Sequence, residues 1–180
     1  MAKPFPRVSR TASLVALLLV FSAPALAADC SAPPHPGINW KRCSLAGSNL
    51  AGADLSDGDL RDGRFLRADF TGAKLIRVDA IGAKFNSAVL AGADLSHASL
   101  QETDFTRADL SHANLTSADL SRAVFFGANL RSAVLTGAKL DSTDLENADL
   151  SGATWMDGRQ CGQGSIGSCV PAPPATSGAS

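Results

Sequence analysis

The chain has 180 residues, with 16 Lys plus Arg against 17 Asp plus Glu, which is length for one domain. Lys3, Arg7 and Arg10 fall in the first ten residues, and without them the balance is 13 cations against 17 anions. A mildly acidic body argues against nucleic acid as a partner, because a sequence-independent grip on it needs a strongly positive face.

Residues 1–27 read as a secretory signal peptide. Lys3, Arg7 and Arg10 supply the charged region and Leu14 to Phe21 the apolar core. Pro24 breaks that core, and Ala25-Leu26-Ala27 is an A-x-A cleavage site. The apolar run is shorter than the ~20 residues of a spanning helix, so cleavage after Ala27 is expected, with no membrane span left behind. Leu26 to Cys30 resembles a bacterial lipoprotein signal, but Asp29 stands where a small residue is wanted before the cysteine. A periplasmic or secreted protein is therefore expected. Residues 28–37 (ADCSAPPHPG) form a Pro-rich leader.

From Ile38 onward the pattern has a period of five. Every fifth residue from Trp40 to Trp155 is a centre: 16 Leu, five Phe, two Trp and a single Ala, Ala80. A small residue, most often Ala, stands two places before nearly every centre. On a helix these centres would spiral around the surface, and on a strand an odd spacing would send them to alternate faces. A chain that turns a corner every five residues buries all of them, provided successive coils stack. Phe65, Phe85, Phe105 and Phe125 are 20 residues apart. Four sides per coil put them in one column, whereas three would scatter them. Residues 38–157 thus read as an all-β solenoid of about six 20-residue coils, roughly 29 Å long at the inter-strand spacing. At Val78-Asp79-Ala80 the large and small positions are exchanged, and a local distortion is expected there.

Units such as Ala93-Asp94-Leu95-Ser96-His97 and Ala108-Asp109-Leu110-Ser111-His112 resemble the A-[DN]-L-x-x repeat of the pentapeptide-repeat family. The resemblance covers about two-thirds of the chain and implies a right-handed quadrilateral β-helix. It also carries a functional alternative, since some members resemble a DNA duplex and bind DNA gyrase. Here the export signal and the cations Arg64, Lys84 and Lys139, which interrupt the acidic columns, count against that role. The loops on which gyrase-protecting members rely are also missing from this unbroken frame.

The cysteines are Cys30, Cys43, Cys161 and Cys169, with no C-x-x-C, so zinc fits poorly and disulfides suit an exported protein. The solenoid separates Cys43 from Cys161 by most of its length, beyond the roughly 7 Å that a disulfide allows. Cys30–Cys43 and Cys161–Cys169 are therefore expected, the first tying the leader over one end and the second closing residues 158–169 as a cap on the other. Residues 170–180 read as a low-complexity, disordered tail.

No constellation points to catalysis. Gly162 to Gly167 matches G-x-G-x-x-G but lies between two cysteines, without the strand and helix a phosphate site needs. His35, His97 and His112 do not share a face, so no metal site or catalytic base is expected. The Asp residues before the centres read as structural, and no nucleophile has an adjacent base. No cofactor is expected. Arg61, Arg64, Arg67, Lys74, Arg77 and Lys84 bias one end of the rod positively, among interleaved Asp residues. Ile76 and Ile81, beside the Val78–Ala80 exchange, and the outward Phe126 form a candidate contact patch. The reading that follows is a non-enzymatic structural or protein-interaction module of the bacterial cell envelope, with an envelope protein or another macromolecule as partner. A gyrase-binding DNA mimic and an enzyme are the alternatives.

Overall fold

The computed structural model describes residues 28–172. The signal segment and residues 173–180 of the tail lie outside the described residues. Parallel bridges join residues 20 apart throughout the repeat. Asn39 pairs with Asp59, Asp59 with Asp79 and Asp79 with Ser99, and ladders starting at Ser44, Asn49 and Asp54 run beside this one. The chain therefore has four sides per coil, with centres in the series Trp40, Leu45, Leu50 and Leu55 for sides one to four.

One unit shows why five residues suffice for a side. Asp109 N–H donates to Ala88 O one coil back (2.9 Å), and Leu110 and His112 N–H donate one coil forward to Asn129 O (2.7 Å) and Arg131 O (2.9 Å). Ala113 N–H closes the corner on Leu110 O (3.0 Å). The corner needs a positive φ two residues after the centre, the hallmark of a type II turn. Every fifth residue from Gly37 to Gly152 adopts it, fifteen of them not glycine. Apart from Asp57, Asp62 and Asn147, whose residue types tolerate this region, each of those fifteen carries about 1 kcal/mol of strain or more, which the continuous ladder and core must offset.

That accounting leaves one backbone donor over, the N–H just after each centre. In the same unit Ser111 N–H is taken by Asp109 Oδ1 at 3.0 Å. Fourteen units have Asp or Asn before the centre, and in all fourteen its side-chain oxygen accepts this bond. Asp or Asn is thus the residue that completes the turn, because a short side-chain acceptor reaches the N–H two residues on.

Centres and small residues point inward and are fully buried through the middle coils. Phe65, Phe85, Phe105 and Phe125 stack along the axis with centroids 5.0, 5.3 and 4.9 Å apart and interplanar angles of 12–19°. Phe70 meets Phe65 and Phe85 edge-on. Gly63 makes room for this column, since a Cβ there would lie 2.6 Å from the Phe65 ring. Thr103, at a small inward site, is fully buried and donates its hydroxyl to Ala80 O at 3.0 Å. Val78 and Ala80 are both buried and Asp79 stays in its ladder, so the frame passes through the exchange without a break.

The ends depart from the repeat. Cys30 is bonded to Cys43, with Cα atoms 5.4 Å apart, and Ala32 of the leader packs on the core. Beyond Trp155 the chain turns back antiparallel onto its own last coil, pairing Gln160 with Thr154 and Ile166 with Asp149. Cys161 is bonded to Cys169, with Cα atoms 5.0 Å apart. Pairing continues past residue 169, because Pro171 bridges Cys161 and Ala172 N–H donates to Gln160 O at 3.0 Å. The cap therefore includes residues 170–172, which the composition assigned to the disordered tail.

Candidate interaction surface

The outward side chains are aligned by the 20-residue register, so charge pairing runs along the axis. Arg77 forms a two-pronged pair with Asp57 below it (2.7 Å for each bond), and Arg122 pairs with Glu102 at 2.7 Å. Lys74 meets Asp54, Lys84 meets Asp104 and Lys139 meets Asp119 at 3.5–4.0 Å. Arg61 lies between Asp59 and Asp79, and its side-chain hydrogen bond to Asp59, followed by the charges of Asp59 and Asp79, raises its pKa. These are half-exposed or exposed pairs, individually worth little. Their collective result is that the sides are largely self-neutralised and present no continuous acidic strip. The Thr71 hydroxyl and then its N–H hold the Asp69 carboxyl below the usual carboxylate range, as Ser121 does for Asp119.

Three acids at the C-terminal end escape this pairing. Asp141, Asp144 and Glu146 have no ion pair among the described residues. Their places one coil earlier are held by Ser121, Val124 and Phe126, none of them cationic. Matching charges at a spacing of 20 leaves all three without a cation in register, as it also does Asp69 and Asp109.

Ile76 lies at a side-four corner and Ile81 at the next corner, on side one, while Phe126 is on side two about two coils further on. All three are half-buried, and the structure does not bring Phe126 beside the two isoleucines. The most exposed large apolar residues are Ile166 (51%) and Val170 (55%), both in the cap. Gly162 to Gly167 belongs to the same cap, where its polar groups are engaged. Gly164 N–H donates to Ser151 Oγ at 3.0 Å and the buried Ser165 hydroxyl to Gly162 O at 2.8 Å. His97 and His112 are exposed on sides four and three. Among the described residues no group of three His, Cys, Asp or Glu is disposed to hold a metal ion, and no helix is long and apolar enough to cross a membrane.

The pentapeptide-repeat family model matches residues 28–62, 64–102, 88–125 and 118–154 in eight copies. The chain belongs to the pentapeptide-repeat family. Proteins of this family fold as right-handed quadrilateral β-helices, and the four parallel ladders described above fit that fold. Among solved structures the chain is similar to a trypsin-treated variant of QnrB1, a plasmid-mediated fluoroquinolone resistance protein, at 19% identity over 66% of this chain, with a TM-score of 0.41. It spans 65% of the length of that QnrB1 chain. It is also similar to a pentapeptide-repeat protein of the Arabidopsis thaliana thylakoid lumen (30% identity, 63% of this chain and 69% of that one, TM-score 0.27). A third is Rfr23 of the cyanobacterium Cyanothece 51142 (24% identity, 65% and 90%, TM-score 0.37). The family assignment rests on the repeat match and not on these superpositions. Among curated proteins no relative matches.

Proposed function

We propose that the protein is a non-enzymatic interaction module of the bacterial cell envelope, exported by a signal peptide spanning residues 1–27 and cleaved after Ala27. The observation that carries this reading is a filled solenoid whose sides are rigid arrays of ordered, paired side chains, with a disulfide at each end. Two disulfides suit an oxidising compartment. A filled core favours contact with a macromolecule over turnover of a small one, and pentapeptide-repeat proteins are in general structural or interaction proteins.

Fractionation with N-terminal sequencing tests the location: the expected result is a periplasmic or secreted protein beginning at Ala28, and an unprocessed cytoplasmic protein would overturn it. Pull-down of the tagged protein from envelope extract tests the interaction. The alternative is a DNA-mimicking, gyrase-binding protein, a role held by some members of the pentapeptide-repeat family to which the chain belongs. The neutralised sides and the export signal count against it. A supercoiling assay separates the two, with no inhibition of gyrase expected at low micromolar protein.

A further inference from the structure

The last coil is covered over sides three and four, with Gly167 of the cap reaching back as far as Asn147, and is open over the rest of sides one and two. Over sides three and four the chain closes its own edge. Leu150, Gly152 and Trp155 N–H donate to Ser165, Cys161 and Arg159 O, while Ala148 and Ala153 O accept from Gly167 and Cys161. Over sides one and two the coil below shows what a full ladder requires. Leu120, Arg122, Phe125 and Gly127 N–H donate to Lys139, Asp141, Asp144 and Glu146 O, and Lys139 and Asp144 N–H donate back to Ala118 and Ala123 O. The equivalent six groups of the last coil have no such partner among the described residues. They are the N–H of Leu140, Ser142, Leu145 and Asn147 and the C=O of Ala138 and Thr143. The centres Leu140 and Leu145 are only half-buried, whereas Leu120 and Phe125 beneath them are fully buried. The unpaired acids Asp141, Asp144 and Glu146 line the outside of this stretch.

We propose that this half-coil edge is a docking site for an extended, basic segment of a partner protein, which adds in parallel along residues 139–147 as the first half of a seventh coil. Six main-chain hydrogen bonds supply the pairing, as when a strand is added to an open sheet edge. Small and apolar side chains at five-residue spacing cover Leu140 and Leu145, and Lys or Arg beside them face Asp141, Asp144 and Glu146. This rests on the interaction-module reading but not on the envelope location.

Charge and shape select the occupant. Two copies meeting at their C-terminal ends would set Asp141, Asp144 and Glu146 against the same acids. Stacking a second copy in register by its N-terminal end would bring Lys41 beside Asp141, but would drive residues 48–57 into the layer held by residues 159–167. The chain's own residues 173–180 contain no Lys or Arg, and Pro173 and Pro174 have no N–H to donate.

The test uses a fluorescent decapeptide, ASLKSAKLKS, whose three lysines lie in register over Asp141, Asp144 and Glu146 while Ser lies over Lys139, titrated against the purified protein by anisotropy. An acidic counterpart, ASLESAELES, and a form N-methylated at the second and seventh residues, which donate to Ala138 and Thr143, serve as controls. The expected result is binding of the basic peptide that weakens with salt and falls about ten-fold or more in an Asp141→Lys/Glu146→Lys variant. Amide exchange at Leu140, Ser142, Leu145 and Asn147 should be fast in the free protein and slow in the complex. No binding of the basic peptide, or equal binding of the acidic or N-methylated peptide, overturns the proposal. So does protection of those four amides without peptide: concentration-dependent protection would mean a second copy holds the edge, and concentration-independent protection the chain's own tail. If the peptide fails while envelope pull-down still recovers a partner, only this proposal falls. If the peptide binds and no envelope partner exists, the broader reading falls instead.

Discussion

The middle coils and the two end coils are built from the same unit, yet they hold together differently. Between Leu60 and Leu135 every inward residue is buried by a coil above and a coil below. At the ends Leu45, Ala53, Leu140, Leu145 and Trp155 are only partly buried, and non-repeat chemistry takes over: two disulfides, a Pro-rich leader and an antiparallel return. In a solenoid each coil touches only its neighbours, so the ends need such devices while the interior needs only its register.

The sharpest way to break this comparison is to place the same charge in both regions. Leu110→Asp puts an uncompensated carboxylate into a fully buried site and should cost more than about 4 kcal/mol. Leu140→Asp, at the half-open end, should cost about 1–2 kcal/mol, because its carboxylate can reach water. Urea titration of the two variants compares them directly, and equal losses would contradict the difference between middle and end.

Next in size is the C-terminal disulfide. Replacing Cys161 and Cys169 together by Ser removes a short loop closure, worth about 2–3 kcal/mol in the chain-entropy model. The loss should appear as faster amide exchange in residues 150–172 while residues 80–120 stay protected. Uniform deprotection would mean that the cap is part of one cooperative unit with the interior.

Phe105→Leu should be milder and confined to the interior. It removes two stacked ring pairs, with Phe85 and Phe125, each worth about 0.5–1.5 kcal/mol beyond area burial. The volume change adds to that loss. Leu100→Met, in a column without aromatic stacking, should cost less in the same thermal-melt series.

The smallest effect concerns the turn carboxylates, which occur in middle and end alike. Asp69 and Asp119 have folded pKa values below the unfolded reference, because Thr71 and Ser121 hydrogen-bond the ionised form. Their contribution is therefore present above about pH 4 and is lost as pH falls through the lowered folded values. The melting temperature should be flat around neutrality and fall below about pH 4. Asp69→Asn, which keeps an acceptor, should reduce that acid slope without a large loss at neutral pH.

The five-residue period and the 20-residue spacing of Phe65, Phe85, Phe105 and Phe125 were enough to derive a four-sided coil, because burial of the centres leaves no other geometry. The reason for Asp or Asn before the centre was not legible. It depends on which backbone donor the ladder leaves over, and that appears only when all five N–H groups of a unit are placed. The return of residues 159–172 was also hidden. A Gly-rich stretch between cysteines reads as a loop until the edge it pairs with is known, and the half-covered coil follows from how far that return reaches. The unpaired Asp141, Asp144 and Glu146 were within reach of sequence, but only once the 20-residue register is applied to charge as well as to the core.

The same register limits how such a gene can change length. Deleting one five-residue unit leaves every remaining unit intact, yet turns all that follows by a quarter. Phe85 would no longer sit over Phe65, and Arg77 would lose its place above Asp57. Only gains or losses of whole coils, 20 residues at a time, keep the columns aligned. Duplication and loss in this lineage should therefore proceed in steps of sixty nucleotides, although the visible repeat is only fifteen.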